Sequence, residues 1–127
     1  MIVKKVDSSN FDELVLQSDK PCVVKFYNKG CYLCRALHPV FENLADRYVN
    51  RLNFYRINSE EEPSFSDPYL DGGVPTIQVF SKGIPPVLID YPDEPDEITG
   101  YPREYLDQWL YYYLVSYNIL KGANEND

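Results

Sequence analysis

The sequence predicts an α/β fold in which a mixed central β-sheet is flanked by helices on both faces, and three stretches carry that expectation. Cys22-Val23-Val24-Lys25-Phe26-Tyr27 is apolar and β-prone on nearly both faces, the pattern of a central strand covered by helices on each side. Asn28-Lys29-Gly30 then turns the chain into a segment of helical period running from Cys31 to about Tyr48. Thr76-Ile77-Gln78-Val79-Phe80 and Val87-Leu88-Ile89, joined through Ser81-Lys82-Gly83, read as a hairpin. Strand-helix-strand units require parallel pairing and a hairpin requires antiparallel pairing, so the sheet is mixed.

The elements follow in order. Ile2 to Val6 alternates polar and apolar side chains as a short edge strand does, and Ser8-Ser9-Asn10 offers N-caps for a helix carrying Phe11, Leu14 and Val15, ended by Asp19-Lys20-Pro21. After the central strand, the helix from Cys31 spaces Leu33, Leu37, Val40, Phe41, Leu44 and Tyr48 for burial, with Pro39 inside it as a kink. Leu52 to Ile57 is the next strand. Ser59 to Asp71 is acidic and interrupted by Pro63 and Pro68, so at most a short irregular helix forms there. Tyr91 to Glu97 is an acidic loop, within a longer acidic insertion at about 84–99. From Pro102 a last helix, extended over about 102–120, aligns Leu106, Trp109, Leu110, Tyr113, Leu114 and Tyr117, and Lys121-Gly122 is expected to stop it before a polar tail.

A chain of 127 residues, 44% hydrophobic and 15% aromatic, suffices for one domain with a sizeable core, so a single domain over 1–127 is expected. Its formal charge of −8, from 20 acidic against 12 basic residues, argues against nucleic acid or an anionic membrane surface as partner. Met1 to Asp7 lacks the apolar core of a signal peptide, and no apolar run approaches the ~20 residues that span a bilayer. Three cysteines, two of them three apart, do not make a secreted disulfide framework. A cytoplasmic monomer is therefore expected.

The chemistry concentrates at Cys31 and Cys34. At the first turn of a helix, unpaired backbone N–H groups and the positive end of the helix dipole favour the thiolate of Cys31. Cys34 lies on the same helical face, placed to attack a mixed disulfide formed by the first. Other readings of the pair are structural thiols or a metal half-site, which His38 could join on the same side of the helix, although no fourth ligand is evident. Cys22, within the central strand, reads as a buried small apolar residue. The run from Trp109 to Tyr113 reads as core stripe or dimer face, and Asp90, Asp93, Glu94, Asp96 and Glu97 as solvated surface or a docking site.

With these residues assembled, the chain resembles the thioredoxin family. The resemblance rests on Val23-Val24-Lys25-Phe26-Tyr27 leading into Cys31-Tyr32-Leu33-Cys34, on Pro39, on Gly73-Val74-Pro75-Thr76 and on Gly100, and it covers most of the chain. It implies the thioredoxin fold and a thiol-disulfide oxidoreductase of the protein-disulfide reductase kind, needing no cofactor and no metal. Cys31 would be the nucleophile and Cys34 the resolving thiol. Val74-Pro75 would be a cis peptide whose main chain, with Gly73 allowing close approach, pairs with an extended substrate. Gly30, Tyr32 and Leu33 would line the substrate side. The implied partners are disulfide-containing proteins and a thioredoxin reductase or another thiol donor.

The sequence departs from that family's pattern in four places. Gly30 stands where a tryptophan usually precedes the first cysteine, and Tyr32-Leu33 replaces Gly-Pro between the cysteines. Lys25 occupies the place of a buried acid beneath the second cysteine. The segment from Ile84 to Thr99 and the last helix are both long. Lys25 could take the proton of Cys34, stabilise thiolates as a cation, or carry its ammonium to the rim of the sheet. Two other functions compete with disulfide reduction. One is a binding module with dispensable cysteines; the other is exchange with glutathione, disfavoured by Pro39 and by the acidic surroundings.

Overall fold

The computed structural model describes residues 2–95 and 97–125. Five strands, β1 (Lys4–Lys5), β2 (Cys22–Tyr27), β3 (Asn53–Asn58), β4 (Thr76–Ser81) and β5 (Ile84–Ile89), form one sheet in the order β1-β3-β2-β4-β5. β1 and β2 flank β3 in parallel, and β4 runs antiparallel to both β2 and β5. The mixed sheet anticipated from the strand-helix-strand and hairpin patterns is the one observed.

Alternation along β2 assigns its side chains to two cores. Val23 faces helix α1 (Tyr32–Arg47) and helix α3 (Arg103–Glu125), whose Leu37, Phe41, Leu44, Leu106, Leu110 and Leu114 cover that face. Cys22, Val24 and Phe26 face the other way, towards Phe11, Val15, Tyr55, Ile57 and Phe80. Phe65 and Tyr69, from the short helix α2 (Pro63–Ser66) and the 3-10 turn that follows it (Asp67–Tyr69), close this second core through ring contacts with Phe11. Lys25 shares the parity of Val23 and therefore sits under α1.

Local departures from the sequence expectations have identifiable causes. The first helix is a single π-type segment, Asp12–Leu16, in which the Gln17 N–H donates to the Asp12 carbonyl at 2.9 Å. Ser8, Ser9 and Asn10 do not cap it. Asn10 Oδ1 accepts from the Asp7 N–H at 2.9 Å, Asp7 accepts from Ser9, and Ser8 is held by Glu62, so these side chains stabilise the turn before the helix instead. The hairpin strand β5 begins at Ile84 rather than Val87, because an edge strand tolerates Pro85 and Pro86, and a register shift occurs between Val79 and Ser81. Part of the segment read as an insertion is thus strand. Gly122 does not stop α3, which continues to Glu125. Asp96 of the acidic loop lies outside the described residues.

The last helix divides by depth. Leu106, Leu110 and Leu114 are buried, and Trp109 and Tyr113 pack half-buried against them with rings stacked at 5.5 Å, whereas Tyr111 and Tyr112 face outward. Cys22 is fully buried, as expected, and burial pushes its thiol pKa up. Among the described residues, no helix is long and apolar enough to cross a membrane.

Candidate active site

The end of β2 and the start of α1 bring Cys31 and Cys34 together. Cys31 is the N-cap residue of α1, in extended conformation, and its Sγ accepts the Cys34 N–H at 3.0 Å. The two residues are joined as a disulfide, with Cα atoms 5.2 Å apart. Cys34 is buried while Cys31 is half-exposed, so the first sulfur is the one a partner reaches. Tyr32 projects outward with 63% of its surface exposed, Leu33 is half-buried, and Gly30 is exposed with open space where a side chain would begin.

The Val74–Pro75 peptide is cis. Gly73, at φ 148°, adopts a backbone conformation that side-chain-bearing residues rarely take. Thr76 fastens this loop by donating its hydroxyl to the Gly73 carbonyl at 2.6 Å and accepting the Asp71 N–H at 3.1 Å. Tyr91 fastens it from the other side, donating its hydroxyl to the Pro75 carbonyl at 2.8 Å. Its ring stacks on Tyr101 at 4.4 Å and lies over Gly100, where an added Cβ would come within 2.9 Å of it. Sequence reasoning missed Tyr91, which stood there only as the first residue of an acidic loop.

Lys25 does not reach the rim. It is 2% exposed, and its ammonium lies 3.0 Å from His38 Nδ1 and 5.1 Å from the centre of the Phe41 ring. The stem cannot snorkel because α1 lies directly over this part of β2. Burial first, then Arg56, lowers the Lys25 pKa to about 8, with Glu42 opposing. Burial and the neighbouring lysine likewise lower that of His38, so the imidazole is neutral at pH 7. A charged Lys25 donating to Nδ1 leaves the ring proton on Nε2, 4.0 Å from Glu42 Oε1. Glu42 in turn accepts the N–H groups of Ile2 and Val3 at 3.2 and 2.9 Å, tying the chain's start to this cluster.

His38 Nδ1 is therefore turned towards Lys25. Among the described residues, no three His, Cys, Asp or Glu side chains are grouped to hold a metal ion. The only sequence signal for the cluster was the i, i+4 spacing of His38 and Glu42 on α1; its contact with β2 is tertiary.

Comparison with known proteins agrees with this architecture. A family model described as thioredoxin matches residues 2–101. The chloroplastic thioredoxin M4 of Arabidopsis thaliana is 32% identical over a stretch covering 89% of this chain and 54% of that protein. The thioredoxin of Borreliella burgdorferi is 31% identical over 73% of this chain and 80% of its own length, and that of Acidithiobacillus ferridurans is 35% identical over 61% and 72%. The chain spans about half the length of the chloroplast relatives it matches. Among solved structures, the J-Trx1 fragment of ERdj5 superposes with a TM-score of 0.73 at 19% identity, covering 88% of this chain and 50% of that one, a likeness of fold.

Proposed function

The chain belongs to the thioredoxin family, and from that premise we propose that it is a thiol-disulfide oxidoreductase that reduces protein disulfides through a Cys31/Cys34 cycle. The observation that carries the reading is the bonded cysteine pair at the mouth of α1, with the half-exposed Cys31 sulfur accepting a backbone N–H that equally serves a thiolate. The Cys31 thiolate attacks one sulfur of a substrate disulfide and expels the other as a thiolate, forming a mixed disulfide. Cys34 then attacks the Cys31 sulfur, the remaining substrate thiolate leaves, and the Cys31–Cys34 bond forms. Two electrons have passed to the substrate, and a reductase or another thiol donor restores the dithiol. No organic cofactor enters this cycle.

The loop Gly73-Val74-Pro75 offers its backbone to an extended substrate segment, while Gly30, Tyr32 and Leu33 form the rim it crosses. Lys25 replaces a carboxylate by a cation. With a pKa of about 8 it is mostly protonated at pH 7, where it favours the Cys34 thiolate electrostatically and makes the disulfide a stronger oxidant. A reducing cytoplasmic compartment suits a pair that must cycle.

The test is a protein-disulfide reduction assay on the wild type and Cys31→Ser. Activity that vanishes in the variant supports the cycle; equal activity removes it in favour of a binding module, the reading that the outward-facing Tyr111, Tyr112 and Ile119 of α3 favour.

A further inference from the structure

The charge of this chain is unevenly spent. Its 20 acidic side chains outnumber 12 Lys and Arg and one His, yet an opening of about 460 Å³ beside Cys34 is lined by Lys25, Lys29, Arg35, Arg56 and His38, with no carboxylate among its lining residues. That volume is in the range of small-molecule sites.

The two guanidiniums are held in place rather than splayed. Arg56 Nη1 donates to the Tyr27 hydroxyl at 2.6 Å and its guanidinium lies 5.5 Å from the Tyr27 ring centre. Arg35 Nη1 donates to the Lys29 carbonyl at 2.9 Å. Each guanidinium has five N–H donors, so most remain for a ligand. Lys25 lies at the base of the opening, almost wholly withdrawn from water. Two neighbouring acids are otherwise engaged: Glu42 faces His38 Nε2 and accepts the Ile2 and Val3 N–H groups, and Glu60 accepts the Lys29 N–H at 3.2 Å. Among the described residues, none of Lys25, Lys29, Arg35 and Arg56 has a carboxylate partner within ion-pair distance.

We propose that this opening binds a small polyvalent oxyanion, of carboxylate or phosphate chemistry, and binds it more tightly when Cys31 and Cys34 are bonded to each other than when they are reduced. Only the second part rests on the exchange reading above. Cys34 lines the opening, and its reduction adds thiolate charge to the same wall, so an anion and the reduced pair compete for one set of cations.

Inorganic phosphate and citrate, titrated into the oxidised full chain at ionic strength held constant with chloride, test the site by calorimetry and by the NMR signals of His38. The expected result is saturable binding of at least one anion, weakened tenfold or more in Lys29→Gln/Arg35→Gln, whose two positions are exposed and leave the core untouched. The anion that binds more tightly distinguishes phosphate from carboxylate chemistry. Responses no greater than those to chloride, or equal in wild type and variant, overturn the site. The midpoint potential of the cysteine pair should fall on saturation, by about 30 mV for each tenfold preference for the oxidised form. A potential that does not move while the anion binds overturns the coupling and leaves the exchange reading intact; saturable binding to a chain that exchanges no disulfides refutes the exchange reading instead.

Discussion

Two regions around the end of β2, the loop before β4 and the side chains beside Cys34, are built by opposite means. The loop from Gly73 to Thr76, which enters β4 where Thr76 pairs with Phe26 of β2, is mostly backbone, uncharged, and fastened by hydroxyls from Thr76 and Tyr91. On the Cys34 side, the buried Lys25 ammonium and the partly exposed His38, Glu42 and Arg56 form a polar cluster contributed by β2, α1 and β3. In the proposed cycle the first region would accept any extended segment, since main-chain groups read no sequence. In the proposed cycle the second would set the chemistry of the buried sulfur, because charge acts strongly where water is excluded.

Several perturbations separate the two regions. Cys34→Ser has the largest expected effect: the first attack survives, turnover falls to background, and the substrate stays covalently attached to Cys31, which intact-protein mass spectrometry detects. Next comes Lys25→Met in denaturant unfolding followed across pH. The lysine titrates near 8 when folded and near 10.5 when unfolded, so between those values the unfolded chain holds more protons and wild-type stability rises with pH. Below pH 8 the wild type therefore carries a penalty of up to about 3 kcal/mol that the variant lacks. Their stabilities should differ most near pH 7 and converge by pH 10 to 11; a difference independent of pH would place the ammonium outside the core.

The same Lys25→Met variant should lower the midpoint potential by about 30 mV, a tenfold change in the exchange equilibrium, through loss of thiolate stabilisation. A rise would show that Lys25 does not stabilise the reduced pair. Tyr91→Phe touches only the loop before β4. It removes the hydrogen bond to the Pro75 carbonyl, at a cost of about 1 kcal/mol or a few degrees in Tm, and should weaken KM for a protein disulfide while leaving the potential unchanged. If the potential moves with Tyr91, the two regions are not independent.

The sheet, its mixed pairing and the helix opening at Cys31 were legible in the chain, because each is announced by residues adjacent in sequence: an apolar run, a helical period, a hairpin turn; the Gly73-Val74-Pro75-Thr76 loop was legible only through the family resemblance. Leu37, Phe41 and Leu44 were likewise marked for burial by their spacing and are buried. The misplaced caps at Ser8 to Asn10 and the early start of β5 show where local preference yields, since a turn can use the same hydroxyls and an edge strand can absorb two prolines.

What only the tertiary structure decided is the company each polar side chain keeps. Lys25 and His38 are thirteen positions apart, Tyr91 and Pro75 sixteen, Lys25 and Arg56 thirty-one, and no periodicity links residues on separate elements. Sequence by itself determined which segments could be strand or helix and that two sulfurs would meet at a helix mouth. Whether the lysine beneath them would escape to water or be sealed under α1 depended on packing, because desolvation is a property of everything that surrounds a group and not of the group itself.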